Sequence, residues 1–422
     1  MAGRSSRNIE QSYKLAVERF AEVGVDVAVA LTHLATVPIS LHCWQIDDVA
    51  GTEGGQLQGA GLAATGSFGG KPRNLDEMRG DFEKVLSLLP GRHRLSLHAM
   101  YAESAGKVDR NKLEPKHFAG WIDWAKANRI GLDFNGTFFN HPKAASGLTL
   151  SHADKGIRGF WVEHGIACRK IAAAMGKAQG TPCVHNTWVP DGYKDTPIDR
   201  LSPRQRLEDS LDRMYAPRLS DKHVLDGVEG KLFGIGSESY VVGSHEFYLG
   251  YAVSRQKLLT LDMGHYHPTE SVADKISSVL AYVPEILLHV SRGIRWDSDH
   301  VVVLNDELLA LAQELVRHDF LGRTHIGLDF FDASINRVAA YVVGARAMLK
   351  ALMIALLEPT RTLEQAEDTG DLTGRLALLE EAKNLPYSSV WDYYCAANNV
   401  PVAEAWLAEV RKYEKDVLAA RS

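Results

Sequence analysis

The sequence predicts an α/β fold, a (β/α)8 TIM barrel with additional N- and C-terminal helices, on three observations. Eight short β-rich runs alternate with amphipathic stretches along most of the chain, which is the rhythm of parallel βα units. Most of these runs end on a polar or ionisable side chain, and a parallel barrel opens every strand's C-terminal end onto one shared face. The 422 residues accommodate a barrel of roughly 250 residues with additions, and are few for three independent domains.

The elements follow in order. A first helix is expected over 9–23, with Tyr13, Leu15, Ala16, Phe20 and Val23 on one stripe. Strands are expected at 37–43, 94–99, 130–134, 182–185, 224–229, 258–262, 285–289 and 324–329. Helices fill most gaps, including 74–89, 115–128 and 203–214, the first with Asn74 as N-cap and acidic residues in its opening turn. His42, His98, Asp133, His185, Glu229, Asp262, His289 and Asp329 stand at the strand ends. A long helix over 333–357 precedes a break at Pro359 and a helical tail. Leu376, Leu378 and Leu379 mark that tail as an appendage packed on the barrel or on a neighbouring subunit. We therefore expect a barrel catalytic domain with its N-terminal helix over 1–357 and a helical extension over 358–422.

Composition narrows the function. A hydrophobic fraction of 45% with 24% charged residues is that of a soluble globular chain. A net charge of −6 supplies no basic field for nucleic acid or anionic lipid, which favours a small-molecule substrate or a protein partner. No apolar segment with a cleavage site opens the chain, and no run reaches ~18 apolar residues, so neither a leader nor a membrane span is expected. Cys43, Cys168, Cys183 and Cys395 are scattered, as thiols of a reducing compartment are, and the cytoplasm is the expected location.

The chemistry concentrates between Glu229 and Asp329. VEGK carries Glu229 and Lys231, and LDMGHYH carries Asp262, His265 and His267. His289 follows, then RWDSDH with Asp297, Asp299 and His300, and LDFFD with Asp329 and Asp332. Carboxylates mixed with imidazoles suit Mn²⁺, Mg²⁺, Co²⁺ or Zn²⁺, and no thiolate set points to structural zinc. Asp262 and His265, three apart, can face two adjacent ions from a strand end and its loop. Asp297 and Asp299, two apart, share one side of an extended segment. Singly, each is more readily a surface charge or a core histidine. As a set ending successive strands they form a metal centre.

Lys231, two residues past Glu229, is aimed at the same cavity, where a fixed cation polarises a substrate oxygen. Its plainer role is a surface lysine in an ion pair. Trp44, His98 and Trp188 at strands one, two and four offer faces to a sugar ring, although Trp is also a good core filler. The run over 234–244 (GIGSESYVVGS) reads as a mobile or tightly turned active-site loop, because it fits neither a P-loop nor a Rossmann fingerprint. No nucleophile elbow is present.

SLHCWQIDDV, RLSLHAMY, GLDFN, LSHAD, KLFGIGSESY, GHYHPTE, LLHVSRGIRWDSDHVV and HIGLDFFDASINR together resemble the bacterial type of the L-rhamnose isomerase family. The likeness runs from about Tyr13 through LALLEEAKNLP, nearly the whole chain. It implies a barrel with helical extensions, assembled as a homotetramer, that interconverts L-rhamnose and L-rhamnulose with two divalent ions, Mn²⁺ foremost. By this resemblance Glu229, Asp262, His289 and Asp329 hold one ion. His265, Asp297 and Asp299 hold the other, with Asp262 close by, and Asp332 competes with Asp329. The Glu-x-Lys pair is shared with xylose isomerases. Lys231, Asp329 and Asp299 are then the catalytic residues, and Trp44, His98, Trp188 and Lys231 meet the sugar. Hydrogen is expected to pass from C2 to C1 as hydride, with an enediol route as the rival. Other metal-dependent barrel enzymes and a non-catalytic carbohydrate binder are the alternative functions.

Overall fold

Largely buried runs of five to seven residues form the eight strands. They are β1 (Pro38–His42), β2 (Arg92–His98), β3 (Gly131–Asn135), β4 (Cys183–Trp188), β5 (Val224–Glu229), β6 (Leu258–Asp262), β7 (Ile286–Val290) and β8 (Thr324–Leu328). Each pairs in parallel with its neighbour in chain order, and Ile39 opposite Ile326 closes the ring. The computed structural model describes residues 6–53, 66–104, 106–232, 239–294 and 299–421. The expected α/β barrel is thus observed. A short antiparallel pair, Gly192–Tyr193 with Tyr240–Val241, lies outside it and was not expected.

Strand boundaries depart from expectation by at most three residues, and the largest departure is informative. β4 continues past His185 through Trp188, because Asn186, Thr187 and Trp188 pair with Gly227, Val228 and Glu229. Strand side chains alternate between faces. Trp188 and Asn186 therefore point into the barrel and His185 points out. His185 is fully buried beside Asp226 on the outer face, against the helix Lys155–Gln179. Its expected place on the rim is corrected accordingly. Asp133 faces inward but lies one layer below the mouth, bound by Arg94 and Ser40. Beside it Val184, whose N–H binds Asp133, joins Leu258 and Leu287 in a small apolar cluster.

The helices form where their caps and stripes direct. Asn74 Oδ1 accepts from Glu77 N at 2.9 Å, opening Leu75–Leu86 with Asp76 and Glu77 in its first turn. Such a cap contributes about 1 kcal/mol. The first helix, Ser6–Ala21, buries Ile9, Ala16 and Phe20, but Leu15, expected on that stripe, is 66% exposed. Arg337–Leu356 begins later than expected, at the Asn336 cap. It is long and apolar enough to cross a membrane, yet 78% of its apolar window is buried in the protein, as a core helix is. The tail, Thr360–Asp368, Leu372–Ala382, Tyr387–Ala397 and Ala405–Asp416, is tied back in part by buried polar contacts. Arg421 and Tyr413 both bind Asp81 at 2.7 Å, and Arg346 donates to Pro401 O at 2.7 Å. Leu372–Ala382 buries none of its side chains, leaving Leu372 and Leu376 exposed.

Candidate metal centre

Four consecutive strands deliver one ionisable group each to the barrel mouth. Glu229 ends β5, Asp262 ends β6, His289 lies in β7 opposite Asp262, and Asp329 follows β8. One ligand atom from each lies within 4.8 Å of the others. His289 Nδ1 is the hub, 3.2 Å from Glu229 Oε1, 3.7 Å from Asp262 Oδ2 and 3.1 Å from Asp329 Oδ2.

The other oxygen of each carboxylate is held by a neutral N–H. Asn186 Nδ2 donates to Glu229 Oε2, and Thr260 Oγ1 fixes Asn186 at 2.8 Å. Gly264 N donates to Asp262 Oδ1 at 2.6 Å. Trp44 Nε1 donates to Asp329 Oδ1 at 2.8 Å. One oxygen per carboxylate thus remains turned toward the shared point.

The electrostatics follow from burial and like charge. Burial opposes a charged His289, but the charges of Glu229 and Asp329 prevail and lift its pKa well above the usual imidazole range. Burial raises the Asp262 carboxyl to about 7, helped by Asp329 and Glu229 and opposed by His265. Glu229 is pulled well below the ordinary carboxylate range, against burial, by His289 and His265. Asp329 is lowered by His289. A buried group of this kind is able to hold a cation. The donor set fits a divalent ion: three carboxylates and an imidazole converge, and buried Asp262 Oδ2 has no hydrogen-bond partner among the described residues.

The remaining candidates surround this group. His265 Nδ1 is 3.3 Å from Glu229 Oε1 and 3.8 Å from Asp262 Oδ2. Asp299 has backbone φ +36°, a conformation uncommon outside glycine. A Cβ on Gly264 would meet its Oδ1 at 2.8 Å and Asp262 Oδ1 at 3.2 Å. Glycine at 264 is what lets the two carboxylates approach. Asp297 and residues 234–238 of the expected active-site loop lie outside the described residues. Lys231 is buried with Nζ 4.9 Å from the Trp188 ring centre. Asp332 turns away, binding Ser334 N at 2.7 Å. His267 is exposed and binds Thr269, and His300 pairs its backbone with Arg292. Neither joins the group.

A wall of rings borders the mouth. Trp44 meets His42 and His98 edge-on at 5.1 and 4.8 Å, His98 meets Phe139 at 5.5 Å, and Phe139 meets Trp188 at 5.7 Å. Burial lowers His98 to about 3 and His42 to about 4, so both are neutral. Phe139 and Asn186 were missed in the sequence. The alternation of CVHNTW, with Trp188 inward, is the signal that identifies Asn186.

The family model for L-rhamnose isomerase (RhaA) matches residues 7–421. The chain belongs to the L-rhamnose isomerase family. It is 61% identical over 417 residues to L-rhamnose isomerase of Rhodopirellula baltica, covering 98% of this chain and 97% of that protein. Against L-rhamnose isomerase of Yersinia pseudotuberculosis serotype IB it is 58% identical over 418 residues, covering 99% and 100%. Among solved structures, L-ribulose 3-epimerase gives a TM-score of 0.46 at 14% identity, covering 78% of this chain and 98% of that one, too low to bear on function. The resemblance drawn from the sequence strings is borne out, and with L-rhamnose isomerase family membership comes the enzyme class: an isomerase, an intramolecular oxidoreductase.

Proposed function

We propose that this chain reversibly converts L-rhamnose to L-rhamnulose using two divalent metal ions, Mn²⁺ foremost. The observation that carries the reading is the convergence of Glu229, Asp262, His289 and Asp329 at the barrel mouth, in a chain of this family. These four would hold one ion. His265, Asp297 and Asp299, with Asp262 beside them, would hold the second. Oxygen-rich donors with few imidazoles suit Mn²⁺, with Mg²⁺, Co²⁺ and Zn²⁺ as substitutes. When bound, the ions supply Lewis-acid charge that polarises the sugar's O1 and O2.

The chain's own groups do the rest. Lys231 is a buried fixed cation for the oxygen on C1 as its carbonyl becomes an alkoxide. Hydrogen moves with its electron pair from C2 to C1, so C2 becomes the carbonyl carbon. The proton leaving O2 reaches O1, and Asp299 and Asp329 are the carboxylates assigned to hold or orient it. Trp44, His98 and Trp188 shape the sugar site and exclude water. The indole N–H of Trp188 is buried without a hydrogen-bond partner among the described residues, a donor for a sugar hydroxyl.

Residues 1–357 carry this chemistry in our reading, and 358–422 brace it. The uncovered leucines of Leu372–Ala382 suit a subunit contact of a homotetramer. Four buried free thiols suit the cytoplasm.

The test is ketose formation from L-rhamnose by metal-stripped protein with and without Mn²⁺. Turnover only with the metal supports the reading. Metal-dependent conversion of a different aldose would change the substrate, and no turnover of any aldose would sink it. L-Rhamnose deuterated at C2 separates the routes: retention at C1 supports hydride transfer, and washout into solvent supports the enediol.

A further inference from the structure

Trp44 sits where an aromatic face is expected to stack on a sugar, but its edge is engaged elsewhere. Its Nε1 donates to Asp329 Oδ1 at 2.8 Å, while Asp329 Oδ2 faces His289 Nδ1 at 3.1 Å. We propose that Trp44 is a positioning residue for Asp329, whose indole N–H occupies one carboxylate oxygen and leaves only Oδ2 for a divalent cation. The proposal rests on reading Glu229, Asp262, His289 and Asp329 as a cation site.

Three observations support it. First, a carboxylate binds a cation through one oxygen or both, and a hydrogen bond from an outer partner orients the carboxylate and occupies a lone pair of the oxygen it reaches. An indole N–H suits that task because it only donates and cannot itself ligate the ion. Second, the indole is fixed. It is buried, with the rings of His42 and His98 edge-on to it, and its carbonyl accepts from Val49 N at 2.9 Å. Third, the arrangement is repeated with unrelated donors, Asn186 Nδ2 on Glu229 Oε2 and Gly264 N on Asp262 Oδ1. Three different N–H groups leave one oxygen each for the same point.

The experiment compares full-length wild type, Trp44→Phe and Trp44→His by Mn²⁺ titration calorimetry and by the visible absorption of the Co²⁺-loaded protein. Phenylalanine keeps a ring and removes the donor. Histidine superposes its five-membered ring on that of the indole, with Nε2 where Nε1 stood, and restores the donor. We expect Trp44→Phe to bind Mn²⁺ roughly 10–100-fold more weakly. Its Co²⁺ absorption should weaken as Asp329 adds its second oxygen, and kcat should fall more than KM rises. Trp44→His should recover affinity and spectrum. Wild-type affinity and spectrum in Trp44→Phe would overturn the proposal, as would equal loss in both variants, which is the signature of packing alone. Should Trp44→Phe not fold, benzothienylalanine at position 44 replaces the N–H by sulfur in nearly the same shape and reads the same outcomes. Failure of the cation site is seen separately: wild type would bind no Mn²⁺ that Asp262→Asn removes.

Discussion

Buried carboxylates on the barrel strands are neutralised in two opposite ways. In the lower layer Asp133 is gripped by Arg94, Nε to Oδ2 and Nη2 to Oδ1, both at 2.8 Å, with Ser40 and Val184 N completing its shell. On the outer face Asp226 has Arg169 at 2.9 Å and Lys257 at 3.2 Å. At the mouth, the ion-pair partners of Glu229, Asp262 and Asp329 among the described residues are histidines. Their remaining bonds come from the neutral N–H groups of Asn186, Gly264 and Trp44. A guanidinium closes a site permanently and makes it structural. Neutral donors fix the geometry of a carboxylate but leave its charge to be met by something that enters. The same residue types thus build scaffold in one layer and, in the next, a group able to hold a cation.

The largest effect that sharpens this contrast is expected from Asp262→Asn. It should lower ketose formation by about a thousandfold or more, as loss of metal charge stabilisation does, with a melting temperature close to wild type. Arg94→Met should do the reverse. It strands Asp133 in a buried layer and should cost about 3–5 kcal/mol of stability, read by urea unfolding, while turnover per folded molecule is kept. If the two variants behaved alike, the distinction between layers would fail.

Acidity divides the layers as well. In the cation-free protein His289 holds a proton to a higher pH than usual because of Glu229 and Asp329, and an ion must displace it. Mn²⁺ affinity should therefore rise with pH, by up to roughly tenfold per unit while one proton is exchanged. Calorimetry in buffers of different ionisation enthalpy measures that proton. Asp133 has the opposite role, in folding. Burial opposes its charge but Arg94 prevails, so its folded pKa is depressed. Its stabilisation is complete above the ordinary carboxylate range and is lost as pH falls through the folded value. The smallest effect is expected from Gly264→Ala. Its backbone φ suits alanine, so the cost is local: the new Cβ crowds Asp299 Oδ1, and turnover should drop about tenfold with stability little changed. Unchanged turnover would show that Asp299 need not sit there.

Much of this was legible in the chain, and the misses share a cause. β5 and β6 match the runs expected at 224–229 and 258–262 because an apolar stretch ends there on a carboxylate. The four residues that converge at the mouth stand at or beside their strand ends for the same reason. His185 was misplaced because a strand end fixes depth but not face, and three residues from inward Trp188 it must point outward. Asp133 was misplaced in depth, since its strand continues to Asn135. Two of the orienting donors were invisible because they join distant segments, Asn186 and Glu229 being 43 residues apart and Trp44 and Asp329 285. No local pattern reveals which edge of an indole faces a carboxylate.

The most direct measurement is L-rhamnulose formation as a function of Mn²⁺ bound per chain, starting from metal-stripped protein. Turnover should be absent without the ion, rise as binding approaches two per chain, and vanish in Asp262→Asn. Full turnover in metal-free protein, or two bound ions without any ketose, would contradict the role assigned to the mouth.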